Sequence, residues 1–84
     1  MSSLEWGEAF FARAGVRPAV PELYYELWVV GQDRTAWYNL PAAYIYRVKE
    51  RRYELDIHGR IEYYTSLKAA KAMGIALVRM DDAV

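Results

Sequence analysis

The chain contains no cysteine and a single histidine among its 84 residues. Without cysteine there is neither a disulfide framework nor a thiolate zinc site, and one histidine cannot complete an imidazole metal site. The core must therefore be held by packing alone. The five glycines are each isolated, so no phosphate-cradling loop is present. Long apolar runs are also missing. The N-terminus lacks a basic segment followed by a signal-peptide-like apolar run, and no stretch approaches the ~20 residues of a membrane span. These absences predict a soluble, unexported, cytoplasmic protein with no cofactor and no membrane partner. An excess of charge is lacking too: eleven Lys and Arg balance eleven Asp and Glu. No global field therefore steers the molecule toward nucleic acid or an anionic membrane. A chain of this length predicts one domain spanning residues 1–84, burying somewhat over ~60% of its unfolded surface.

What is present in excess is aromatic. Eight Tyr and three Trp exceed the needs of one small core, because buried Tyr and Trp must find partners for their polar tips. Some must be displayed. Charge is also unevenly spread: Arg47, Lys49, Arg51 and Arg52 stand against Glu50, whereas the segment before Val29 carries Glu5, Glu8, Glu22 and Glu26 against Arg13 and Arg17.

The opening "SSLEWGEAFFARAG" carries a capping box, Ser2 with Glu5, and ends in Gly15. It predicts a helix over about Ser3 to Ala14, with Trp6, Phe10 and Ala14 at i, i+4 spacing beside Leu4 and Phe11. Gly7 inside it costs up to ~1 kcal/mol relative to Ala, which a close backbone approach would explain. "VRPAVPE", with prolines at 18 and 21, predicts an extended connector. "LYYELWVV", Leu23 to Val30, predicts a strand with Leu23, Tyr25, Leu27 and Val29 on one face and Tyr24, Glu26, Trp28 and Val30 on the other. "GQDR" supplies a turn, and "TAWYNL" reads as a short return strand ended by Pro41.

"PAAYIYRVKERR" points two ways. Pro41, two alanines and the Lys-Glu-Arg-Arg tail argue helix, whereas Tyr44-Ile45-Tyr46 and Val48 argue strand, and the weight falls on strand. A hairpin from Arg52 to Tyr64 follows. A three-residue loop, Ile57-His58-Gly59, gathers Leu55, Ile61, Tyr53 and Tyr63 on one face, and Gly59 takes the left-handed position. A two-residue loop would mix apolar and charged groups on both faces. With the three-residue loop, His58 is an exposed loop-tip residue and not a catalyst. "TSLKAAKAMG" predicts a short helix capped by Ser66 and stopped by Gly74, "IALVRM" a covered strand, and "DDAV" a frayed tail. The expected fold is α+β: a mainly antiparallel sheet of about four to five strands, with an N-terminal helix and a short helix in the C-terminal half packed on it.

Nothing in this order supplies catalytic chemistry. The carboxylate pairs Glu54 with Glu62, on the hairpin's outer face, and Asp81 with Asp82, in the tail, read as solvent-facing and lack the burial that shifts a pKa. No serine or threonine has a partnering base in sequence. A non-enzymatic protein-binding module is expected, docking on a larger protein or ribonucleoprotein complex. Its predicted surface joins the densest aromatics to the basic segment: Trp37, Tyr38, Tyr44, Tyr46, Arg47, Lys49, Arg51 and Arg52. Tyr24, Trp28 and Tyr64 form a second set expected at the surface. The alternative is direct nucleic-acid binding, with sheet aromatics stacking bases and the Arg47–Arg52 segment meeting phosphates, against which the zero net charge weighs. Self-association through an exposed sheet edge is compatible with either.

A cysteine-free chain of this length ending "YELDIHGRIEYYTSLKAAKAMGIALV" resembles small phage-encoded proteins, including anti-CRISPR-type inhibitors. The resemblance covers about a third of the chain. It implies steric blocking of a host nucleic-acid-handling complex, a CRISPR effector among them, and carries over no contact residue.

Overall fold

In the computed structural model, which describes residues 3–12 and 21–82, five antiparallel strands lie side by side in their order along the chain. They are β1 (Leu4–Ala12), β2 (Pro21–Val29), β3 (Ala43–Lys49), β4 (Arg52–Ile57) and β5 (Arg60–Tyr64). One helix, α1 (Leu67–Asp82), follows and covers one side of the sheet. The shortest dimension of the molecule, 19 Å, is the thickness of one sheet and one helix.

The expected N-terminal helix is absent: residues 4–12 are the edge strand β1, paired with β2 from Leu4↔Val29 to Ala12↔Pro21. A spacing of four satisfies both a helix and a strand, because i and i+4 share a face in either. In the strand the positions Leu4 and Trp6 face the core and Glu5 and Gly7 face away. Glu5 caps nothing and instead pairs with Arg34. Gly7 does sit at a close approach, although the neighbour is a side chain: a Cβ there would stand 2.8 Å from Arg34 Nη1. The expected cap Ser2, the stop Gly15 and the connector up to residue 20 lie outside the described residues. Pro21 and Glu22 belong to β2.

β2 and β3 match the sequence reading, and the ambiguous residues after Pro41 are strand. "TAWYNL" is not a strand. Asp33 accepts hydrogen bonds from the backbone N–H and hydroxyl of Thr35, at 2.9 and 2.7 Å, and Asn39 Nδ2 donates to the Asp33 carbonyl, so the segment closes into a tied loop.

The β4–β5 hairpin adopts the register with the two-residue loop, Ile57↔Arg60 and Leu55↔Glu62, and the three-residue loop expected from sequence is overturned. Both loop residues are left-handed, His58 at φ 51° and Gly59 at φ 90°, as a type I′ turn demands. Asp56 Oδ1 secures the turn by accepting from Gly59 N–H at 3.0 Å. The mixed faces are tolerated because β5 is an edge strand. The alternation that matters is that of β4, whose Leu55 and Ile57 are buried while Glu54 and Asp56 face away. Glu62, on the helix side, is satisfied by the Tyr64 hydroxyl at 2.6 Å and by Arg60 at 3.0 Å, and Ile61 is left 49% exposed.

The short helix and final strand of the sequence reading are one 16-residue helix running through Gly74. Ser66 is the expected N-cap, its Oγ accepting from Ala69 N–H at 3.3 Å. Gly74 is not a stop but the point of closest contact. A Cβ on it would lie 2.6 Å from Trp6 Cζ2 and 3.2 Å from Leu55 Cδ1. Ala70, Gly74, Leu77 and Val78 form the buried stripe, at i, i+4, i+7 and i+8. They close over Leu27, Ala43, Ile45, Leu55 and Ile57, with Leu4, Trp6, Tyr25, Tyr53 and Tyr64 packed at the margin. Trp6 Nε1 donates to the Lys71 carbonyl at 3.0 Å, which ties β1 to the helix. Asp81 and Asp82 belong to the last helical turn and not to a frayed tail.

Candidate docking face

Among the described residues no helix covers the sheet's second side, and strand register lays its side chains out as a lattice. One row across the strands reads Gly7, Glu26, Tyr44, Asp56, Ile61; the next reads Ala9, Tyr24, Tyr46, Glu54, Tyr63. Trp28, opposite Glu5, begins a third row. Tyrosines and carboxylates therefore alternate over a face built by β2, β3 and β4.

The rings pack on one another. Tyr24 and Tyr46 stack with centroids 5.5 Å apart and planes 13° off parallel; Tyr44 and Tyr46 stand 6.1 Å apart at the same angle. Glu26 is held between rings, accepting from the Tyr24 hydroxyl at 3.3 Å and from Trp28 Nε1 at 3.4 Å. The Tyr63 hydroxyl reaches Glu54 at 3.5 Å. Burial, followed by the Glu26 carboxylate, pushes the Tyr24 and Tyr44 phenols above their ordinary value. Tyr46 rises through burial first, then through Tyr44, Asp56, Glu26 and Glu54. All three rings thus stay protonated, as hydrogen-bond donors, at neutral pH.

Two arginines close the ends of this face. Arg34, carried by the loop after β2, lies 5.7 Å from the Trp28 ring centroid and pairs with Glu5. Trp28 is consequently only 4% exposed although it points away from the helix. At the opposite margin Arg52 sits 4.4 Å over the Tyr63 ring. Among the described residues, no cation forms an ion pair with Glu26, Glu54 or Asp56.

The eight residues predicted as a docking surface are only partly brought together. Tyr44 and Tyr46 lie at the centre of the open face, and Arg52 at its edge. Trp37, 90% exposed, and Tyr38, 69% exposed, meet edge-on at 5.8 Å in the loop preceding β3. That loop lies at the other end of β3 from the basic hairpin tip. At the tip, Arg51 takes a left-handed φ of 57° and Val48 is the extra residue of a bulge between Arg47 and Lys49. Arg47 and Lys49 line a groove of about 500 Å³ with Leu23, Tyr25 and Tyr53 on the helix side of the sheet.

Sequence reasoning placed Tyr24, Glu26 and Trp28 on one strand face but left Glu54, Asp56 and Tyr63 out of the surface. The rejected hairpin register would have supplied them, since it sets Tyr63 beside Glu54 and Ile61 beside Asp56. It also moves Tyr64 to the helix side, opposite Tyr53, and separates Glu54 from Glu62 onto opposite faces. His58 is exposed at the loop tip. Among the described residues no three His, Asp or Glu side chains converge as a metal-holding group, and no helix is long and apolar enough to cross a membrane. No family model, curated protein or solved structure matches the chain.

Proposed function

We propose that the protein is a non-enzymatic binding domain that docks on a larger protein through the open face of its sheet, the partner offering a basic surface. The observation that carries this reading is the tyrosine stack of Tyr24, Tyr46 and Tyr44, interleaved with Glu26, Glu54 and Asp56, on the side of the sheet away from the helix. Aromatic anchors set among polar groups are the residue types that carry most binding energy in protein interfaces. The carboxylates select the partner's sign, since like charges brought together across an interface cost several kcal/mol.

The same carboxylates weigh against direct nucleic-acid binding. A sheet that stacks bases needs a cationic frame for the phosphates, and three carboxylates among the rings work against it. The basic residues Lys49, the last of β3, and Arg51, in the hairpin turn, lie at the end of the sheet and do not frame the rings. Surfaces that handle nucleic acid are themselves basic. A role in covering such a surface by steric inhibition, in the host cytoplasm, therefore stays within the proposal.

The test compares partner capture by three folded proteins: the wild type, the face variant Tyr44→Ala/Tyr46→Ala, and the tip variant Arg51→Glu/Arg52→Glu. Loss in the face variant, with association unslowed in the tip variant, is expected. Unchanged capture by the face variant, at an unchanged melting temperature, refutes it. In parallel, random single- and double-stranded DNA should bind no tighter than the ~10⁻⁴ to 10⁻⁶ M of non-specific contacts at physiological salt.

A further inference from the structure

We infer that the centre of the open face is a guanidinium-binding site, selecting arginine over lysine in the partner; this rests on the docking face proposed above. The chain itself displays the chemistry twice. At one end of the face the Arg34 guanidinium lies over Trp28 and pairs with Glu5. At the other end Arg52 lies over Tyr63, the ring whose hydroxyl reaches Glu54. In both places the unit is a planar cation on an aromatic ring with a carboxylate beside it.

The centre repeats the ring and the carboxylates. Tyr44 stands between Glu26 on β2 and Asp56 on β4, and Tyr46 stands beside Glu54. With neighbouring strands about 5 Å apart, a guanidinium laid over the Tyr44 ring would have a carboxylate within reach on either side. No described cation pairs with these three carboxylates, which leaves their charge available to a partner's cation. Arginine fits this arrangement better than lysine because its flat fork can stack and donate to carboxylates at once. An ammonium offers only a compact, strongly hydrated charge.

The experiment titrates the protein with two twelve-residue peptides of equal charge, alternating Gly-Arg and Gly-Lys, at physiological salt, followed by tyrosine fluorescence and calorimetry. A single-stranded twelve-mer of DNA and the protein alone in sedimentation serve as further arms. The variant Glu26→Gln/Glu54→Gln/Asp56→Asn removes the charge but keeps acceptors for Tyr24, Trp28 and Gly59, so it should remain folded. The expected result is arginine-peptide binding about tenfold tighter than lysine-peptide binding, and its loss in the triple variant. Equal affinity for both peptides, lost in the triple variant, overturns the arginine selectivity while leaving the docking face standing. Binding of neither peptide, or binding that the triple variant retains, overturns both. DNA binding tighter than peptide binding also overturns both. A wild type that dimerises at micromolar concentration, with a triple variant that does not, makes a second copy the occupant and overturns the inference.

Discussion

Gly74→Ala is the most informative single substitution in the fold, because two well-known effects act on it with opposite sign. In an exposed helix Ala exceeds Gly by ~1 kcal/mol of propensity, so the change should stabilise. Here the added methyl would stand 2.6 Å from Trp6 Cζ2, 3.2 Å from Trp6 Cη2 and 3.2 Å from Leu55 Cδ1. Neither neighbour yields easily. Leu55 is 1% exposed in the centre of the core. Trp6 is held by its 3.0 Å hydrogen bond to the Lys71 carbonyl, and swinging the indole away would sacrifice ~1 kcal/mol for that bond. Overpacking of this kind costs ~1–3 kcal/mol, and with the lost bond it outweighs the propensity gain. The net expectation is a loss of ~1–3 kcal/mol, seen in urea unfolding as a lower midpoint at unchanged slope, and in a melt as a drop of ~4–24 °C. The clash can be relieved from the other side, since Phe in place of Trp6 lacks the ring that carries Cζ2 and Cη2. In a Trp6→Phe background the same Gly74→Ala change should be neutral or stabilising, and the double-mutant cycle should show coupling of more than ~1 kcal/mol. A Gly74→Ala protein as stable as the wild type would refute this account of the helix–sheet contact.

The remaining expectations concern the turn, the core and the titrating face. His58→Asn should raise stability by up to ~1 kcal/mol, because Asn accepts a left-handed φ more readily, whereas Gly59→Val should lose ~1 kcal/mol or more; thermal melts check both. Leu55→Ala should cost ~2–5 kcal/mol in denaturant unfolding. The Tyr64 hydroxyl and then Arg60 hold the Glu62 carboxyl below its ordinary value, so its contribution is present above the usual glutamate range and fades as pH falls through the lowered value. Tyr64→Phe should therefore flatten the acid limb of a melting-temperature profile. The raised phenols of Tyr24, Tyr44 and Tyr46 act at the other end: their contribution is complete below the ordinary tyrosine value of 10.0 and is lost as pH rises past it. A spectrophotometric titration should show a set of tyrosines ionising late, and Glu26→Gln should bring that set earlier.

The inner strands were legible in the sequence because their alternation is unambiguous: Tyr24, Glu26 and Trp28 against Tyr25 and Leu27 admit no helical reading. The two ends of the chain were misread for related reasons. Leu4, Trp6 and Phe10 are separated by even numbers, which a strand needs, and include a spacing of four, which a helix also satisfies. Gly7, unfavourable in the interior of either element, did not decide between them. In α1 the reverse happened: Gly74 looked like a terminator and hid the continuation of the stripe from Ala70 to Leu77 and Val78. Its real role, admitting Trp6 and Leu55, depends on partners far off along the chain, and no local pattern encodes that. The hairpin register turned on a demand that both strands bury one face, which an edge strand escapes. Correcting it is what completes the docking face, since Glu54, Asp56 and Tyr63 come to lie together only in the observed pairing.

Because each strand pairs only with its predecessor and successor, the sheet can be assembled by a series of short loop closures, the inexpensive kind that fast-folding chains rely on. The helix breaks that pattern. Its carbonyl at Lys71 must find Trp6 across 65 residues, and until it does, Leu27, Ile45, Leu55 and Ile57 remain in water. The barrier to folding is thus placed at the last event in chain order, the seating of α1. Mutations in its buried stripe should therefore slow folding as well as speed unfolding.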